Sequence, residues 1–317
     1  MRSGRHHLDR RRASVGLGIC LMIALILPAV ARAGGAPIPN VNWNGLLPPT
    51  PGVPASADPA TPCGINAPPS CVDHDIKRLI ANWEQFDASC DPRAVIALID
   101  LRATQKFRTF LSDRRGSAFY ENQRRYINLD RALQNGFLDA FASYEKGTAP
   151  PAWKIAFDAA LGHHTNAVQD ALLGMNAFLQ RNMPVALAAI GVGGPGAASF
   201  KSDYNHHNDV FFAAFPSVED ELGRRYDPLF NLDSTHALGE IGGLETLRAW
   251  REGAWRNAEL LDSAKTPEER TSVMASIDAS SEAWARMIVA PDFSSWWTVR
   301  YAHCKAFQSS LAQGKAG

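Results

Sequence analysis

The sequence predicts an all-α fold: a single helical-bundle domain of about eight or nine helices behind a Pro-rich N-terminal arm. Three observations predict it. From Val72 onward, apolar residues recur with the period of an α-helix. No alternating strand pattern of useful length appears. Proline and glycine punctuate the chain where helices would start and stop. A length of 317 residues suits one large domain or two ordinary ones, and no internal repeat divides it.

The first 33 residues read as an export signal rather than as part of the fold. Arg2, Arg5 and Arg10 to Arg12 form a basic region. Val15 to Val30 is an uncharged apolar run, and Ala31-Arg32-Ala33 supplies small residues at −3 and −1 of a cleavage site. The apolar run is short for an uncleaved membrane anchor, so no membrane span is expected after cleavage. Ser14 and Val15 follow the Arg11-Arg12 pair where a twin-arginine signal would place bulky apolar residues, which favours the ordinary secretory route. The chain is expected to be secreted, or held in the periplasm or cell envelope.

Cleavage changes the charge. The signal takes away six arginines and one aspartate, leaving 26 basic and 31 acidic residues, a formal net charge of −5. Phosphate backbones are held mainly by Lys and Arg. A mildly acidic chain without a basic run is not expected to bind nucleic acid. Cys20 leaves with the signal, and Cys63, Cys71, Cys90 and Cys304 remain in an oxidising compartment. Of the three pairings, Cys63–Cys71 and Cys90–Cys304 is favoured: the first closes a short Pro-rich loop, and the second ties the first helical hairpin to the last helix. Neither pair has metal-ligand spacing.

Residues 34–71 form a Pro-rich linker or arm, where proline forbids helix and central strand. Residues 72–317 form the helical domain. Ile76, Leu79, Ile80 and Trp83 mark its first helix. Asp91-Pro92 opens a second, carrying Val95, Ile96, Leu98, Ile99 and Leu101. A third runs from about Ala118 to Glu145 and stops at Gly147. A fourth starts at Pro150-Pro151 and is interrupted at Met183-Pro184. Gly191 to Gly196 is a loop. Later helices fall near Phe200 to Phe215, Gly243 to Ser263, Pro267 to Ile288 and Phe293 to Leu311.

Placed on a helix, residues 163–182 put Val168, Leu172, Met175 and Leu179 on one face, with Ala171 and Phe178 beside it. Gln169, Asn176 and Gln180 follow its edge. His163, Asn166 and Asp170 lie opposite, together with Ala167, Gly174 and Ala177. Two readings of that opposite face stand. It is solvated, or the small residues admit a second helix and His163 and Asp170 are buried with partners.

A second polar segment has its own logic. Asp203 lies three and four residues before His206 and His207, a spacing at which a carboxylate can fix an imidazole. His163, Asp170, Asp203, His206 and His207 could together supply N and O ligands to a divalent metal such as zinc. The same residues could instead form a hydrogen-bonded polar core, or lie on surface and loops. No HExxH or GxSxG is present, and no strand precedes the Gly191-Val192-Gly193-Gly194 run as a phosphate-binding loop requires.

Leu172-Leu173-Gly174-Met175-Asn176-Ala177, then Pro184 and Ala186-Leu187, resembles the core motif L-x-G-M-N-A-H-I-N-x-D-L-P-x-A-L of a bacterial all-helical family of unknown function. The resemblance spans roughly residues 75–262, taking in Leu138 to Tyr144, Pro151-Ala152-Trp153, Asp203, Asn208, Arg251, Ala254-Trp255, Ala258 and Leu261. It implies an all-helical fold and no known activity. Phe178, Gln180 and Asn182 stand where the motif has His, Asn and Asp. Any chemistry carried there by relatives is lost in this chain or moved to His206 and His207.

Candidate ligand-binding residues are Asn176, Gln180, Asn208, Arg251 and Trp255. Two functions follow: an exported helical protein holding a small or lipidic ligand between helices, or a metal-dependent hydrolase whose His/Asp cluster activates water. For the leader, N-terminal sequencing of exported protein should find a mature chain beginning at Gly34. A start upstream of Met22 would mean that the apolar run is retained.

Overall fold

A computed structural model describes residues 68–113, 119–194, 196–231 and 241–314. Within them the chain is all-α, with no strand among the described residues. Eleven α-helical stretches are present there: α1 (Ser70–Asp87), α2 (Arg93–Ser112), α3 (Gln123–Glu145), α4 (Pro151–Leu161), α5 (Ala167–Asn176), α6 (Met183–Ile190), α7 (Ala197–Phe212), α8 (Phe215–Arg225), α9 (Ile241–Ser263), α10 (Pro267–Val289) and α11 (Trp297–Ala312). A π-helical turn, Ala177–Asn182, joins α5 to α6 in one continuous rod. This exceeds the expected eight or nine because the anticipated fourth helix is split and one helix, α8, was not anticipated.

The split has a local cause. The stretch expected to run unbroken from Pro151 to Met183 ends at Leu161. His163 N–H bonds to Ala160 O and His164 N–H to Ala159 O, with His163 at φ +59°. That closes a helix in the left-handed conformation, normally a glycine's place. The next helix begins only at Ala167, because Asn166 and Gln169 form a reciprocal capping box. His163 therefore sits in a turn and not on the central helix. Pro184, expected to interrupt, falls in the first turn of α6, where its missing N–H costs little. The expected helix at 200–215 is α7, and Pro216 opens a further helix, α8, that was not expected.

The rod α5–π–α6 is the hub. Its first half packs against α2, α4 and α10, the π turn against α3, α4, α9 and α10, and α6 against α3 and α9. Ala167, Ala171, Leu173, Ala177 and Leu187 are fully buried, on more than one face of the rod. The small-residue face is thus the buried one. A Cβ on Gly174 would lie 2.8 Å from Ile96 Cγ2 of α2. Around the hub runs an aromatic spine in which Phe86 meets Phe141, Phe141 meets Phe157, and Phe157 meets Trp153. Each such ring removed from water contributes about 1.5–3 kcal/mol.

The last helix is held from two sides. Cys90, in the turn after α1, is bonded to Cys304 of α11 across a sequence separation of 214 residues. A closed loop of that length restricts the unfolded chain by about 5 kcal/mol in the chain-entropy account. Arg300 of the same helix meets Asp170 at 2.6 Å, both buried. Cys71 is also disulfide-bonded; its expected partner, Cys63, lies outside the described residues, as do the leader and most of the arm. Among the described residues, no helix is long and apolar enough to cross a membrane.

Replacing Gly174 by Leu should force α2 and α5 apart at Ile96, at a cost of about 1–3 kcal/mol. Denaturant unfolding reads this as a lowered midpoint. On a solvated face, the same change would raise it through helix propensity.

Candidate functional site

The histidines and aspartates proposed as metal ligands lie apart. His163 stacks flat on Trp297, ring centroids 3.8 Å apart. Asp170 is committed to Arg300 and to the Thr165 hydroxyl at 2.5 Å. Asp203 accepts the backbone N–H groups of Glu121 and Asn122, each at 2.8 Å, and so pins the loop before α3. It does not orient either neighbouring imidazole. His206 lies against the Phe119 ring, and His207 Nδ1 is 2.6 Å from the Tyr120 hydroxyl. Among the described residues, no group of three or more His, Cys, Asp or Glu side chains is placed to hold a metal ion.

The ligand-binding candidates divide. Asn176 donates to Ser281 O at 2.8 Å and accepts from Gln180 at 2.5 Å, bracing the rod against α10. Asn182 accepts the Trp153 indole N–H at 3.1 Å. Trp255 packs on Phe200 and Tyr204 and donates to Glu259. Asn208 is half-buried, and its Oδ1 has no hydrogen-bond partner. Arg251 alone of the five candidates lines an interior cavity, and Phe178 and His207 line it too.

That cavity lies between α2, α3 and the rod, and is closed by α7 and α9. Helices α2 and α3 run antiparallel, since Thr104 meets Gln134 while Phe107 meets Tyr126. Asp100 and Thr104 share one face of α2, spaced i, i+4. Tyr126, Asp130 and Gln134 repeat that spacing on α3. The sequence therefore aims two polar columns at each other inside an apolar shell that includes Phe107, Phe137, Phe178 and Phe211. Ile99, Ala103, Phe178 and Phe211 are only half-buried and form its rim. The cavity volume is about 60 Å³, room for a few waters or an organic molecule of a few heavy atoms.

The polar atoms are unevenly matched. Gln134 Nε2 donates to Thr104 Oγ1 at 3.0 Å and reaches Asp130 Oδ1 at 3.3 Å. Thr104 in turn donates to Asp100 O at 2.9 Å. Asp100 Oδ2, Asp130 Oδ2 and Gln134 Oε1 are buried and have no partner. Burial pushes the Asp100 carboxyl well above the ordinary range, and the charge of Asp130 adds to this. Burial raises Asp130 to about 7, with Asp75 adding to the rise and the Gln134 hydrogen bond and Arg131 opposing it. Two carboxyls buried in one cavity cannot both ionise cheaply. They titrate as a coupled pair.

One helical turn further along α3 the cavity changes character. Tyr126 lies against the His207 imidazole, centroids 4.5 Å apart. Arg251 donates to Tyr204 O at 2.7 Å, with its guanidinium over the Tyr204 ring at 4.1 Å. Burial and then Arg251 hold the His207 pKa well below its ordinary value, so the imidazole is neutral. In its Nε2–H tautomer, Nδ1 accepts the Tyr120 proton.

Asp100, Asp130 and Gln134 were not among the sequence candidates. The readable signal was a charge inside an apolar run: Asp100 in Val95-Ile96-Ala97-Leu98-Ile99-Asp100-Leu101, and Asp130 one turn from Tyr126 and Gln134 on the stripe that carries Leu133 and Phe137. A polar residue on the core face of a helix needs a partner or a purpose.

Residues 72–291 match a family model described as "Family of unknown function (DUF5995)". No curated protein and no solved structure matches the chain.

The carboxyl pair sets the pH dependence of stability. The folded state holds the Asp130 proton more tightly than the unfolded chain does. Stability is therefore highest below about pH 4 for this group and falls as pH rises to about 7. The loss is up to about 4 kcal/mol. The Asp100→Asn/Asp130→Asn double variant should flatten that slope and be the more stable protein at pH 8, as urea unfolding from pH 4.5 to 8 will show.

Proposed function

The chain belongs to the DUF5995 family, whose function is unknown, and from the chemistry of its cavity we propose that it is an exported protein that binds a small organic molecule between its helices. The observation that carries this reading is the set of buried, unpartnered acceptors facing a cavity with aromatic walls. An apolar pocket with a few convergent polar groups and shifted carboxyls is the usual form of a ligand site. Leaving such acceptors unmatched costs about 1–3 kcal/mol each, a cost that an occupant with donors would recover. The space suits a compact molecule rather than a lipid chain. Export follows from the expected leader and accords with the bonded cysteines. The metal-dependent hydrolase draws no support from the geometry, since its candidate ligands are committed to separate partners.

A thermal-shift screen of small organic molecules tests this reading. Ala103→Trp places a large ring at the cavity rim without touching the polar columns. Binders should raise the wild-type Tm by about 3–6 °C at ten times Kd and leave the Ala103→Trp protein unmoved. Equal shifts in both proteins, or none in either across the screen, would overturn the assignment.

A further inference from the structure

We propose that the cavity selects a small organic cation: an ammonium held by Asp100, Asp130 and Gln134, with its hydrocarbon part against the phenyl walls. This rests on the small-molecule reading above and names the class of its ligand.

Complementarity points to that class. Asp100 Oδ2, Asp130 Oδ2 and Gln134 Oε1 are three buried acceptors with no donor. An ammonium has three donors and no acceptor. A neutral alcohol or polyol could satisfy the hydrogen bonds, but it would leave the buried carboxylate charge uncompensated. Phe107, Phe137, Phe178 and Phe211 present aromatic surface, which favours a cation further. An anion would meet the carboxyl pair directly.

The surrounding charges fit the same assignment. On α1, Asp75 faces Asp130 but is itself engaged by Arg78 and Arg131, at 3.4 and 3.6 Å. Arg131, on α3, favours the ionised form of Asp130. His207, on α7, is neutral. Arg251, on α9, lines the cavity. It is held against Tyr204 one turn beyond the carboxyls, and it excludes a second cation from that end. Asp100 is raised by burial and by Asp130, with only the Gln134 hydrogen bond opposing. That favours its neutral form and leaves Asp130 as the charge an ammonium would meet.

Binding is then coupled to a proton. Below neutral pH, where Asp130 carries its proton, an ammonium enters, the Asp130 O–H bond breaks, and that proton leaves to solvent. The carboxylate and the ammonium remain as an ion pair, with charge conserved. The ligand amine stays protonated throughout, so affinity should fall about tenfold per pH unit on the acid side of the Asp130 transition.

The test is calorimetric titration of the mature exported chain with methylamine and with its neutral counterpart, methanol. Ethylamine and ethanol serve as a second pair. Wild-type protein at pH 8 should bind the amine at least tenfold more tightly than the alcohol, and that advantage should disappear by pH 5. Asp100→Asn/Asp130→Asn should lose the preference while still binding the alcohol. Equal affinity for amine and alcohol, or an amine preference that survives the double substitution, overturns the cation assignment and leaves the cavity reading intact. Fragments that bind in a manner sensitive to Ala103→Trp while both amines fail overturn it in the same way. No binder of any kind removes both readings.

Discussion

A rod buried on more than one face must satisfy the polar groups on those faces within the protein, and that constraint positions the rest of the molecule. The rod α5–π–α6 carries Asn166, Gln169, Asp170, Asn176 and Asn182 out of reach of solvent. Asn166 caps the helix itself, and the other four reach neighbouring helices. Gln169 donates to the carbonyls of Ile288 and Pro291, where α10 ends, and Asn176 to Ser281 within it. Asp170 takes Arg300 of α11, and Asn182 takes Trp153 of α4. An unpaired buried polar group costs about as much as several good apolar contacts provide. These few bonds therefore select one arrangement from many that would bury similar apolar area.

The cavity gathers three exceptions to that rule. Asn182 Nδ2 is a separate unmatched atom on the rod, but at the cavity Asp100, Asp130 and Gln134 each keep an oxygen without a partner. They sit on straight, well-packed helices rather than on loops, so the unmatched oxygens are not a product of local irregularity. The π turn contributes to the cavity. By inserting an extra residue into the rod beside Phe178, it redirects the following side chains, and such insertions recur at functional sites. The site is thus built from three rigid helices with their hydrogen bonds set, which favours a ligand of definite shape and charge.

Much of the fold was legible because helices and caps are local. The 3.6-residue period placed most helices of the domain, though not α8, and Asp91-Pro92, Pro150-Pro151 and Gly191 marked boundaries. The Cys90–Cys304 bond followed from cysteine number and position. The face of the central helix was legible only in part. Its small residues pointed to close packing, which Gly174 against Ile96 bears out. His163 was misplaced onto the helix, because a histidine at a position that normally takes glycine gives no sequence warning of a left-handed turn.

The site was less legible, for a physical reason. A clustered His-His pair is conspicuous in sequence, yet clustering along the chain is not convergence in space. His163, Asp170 and Asp203 face Trp297, Arg300 and the backbone of Glu121 and Asn122. Asp100 and Asp130 are thirty residues apart in sequence and meet only because α2 folds back against α3. By itself the sequence determined which segments are helical, which faces are apolar and which cysteines could bond, since each depends on neighbours within a turn or two. Only the tertiary structure decided which buried polar groups are paired and which are left facing a cavity. That depends on what the opposite helix presents, and no local period encodes it.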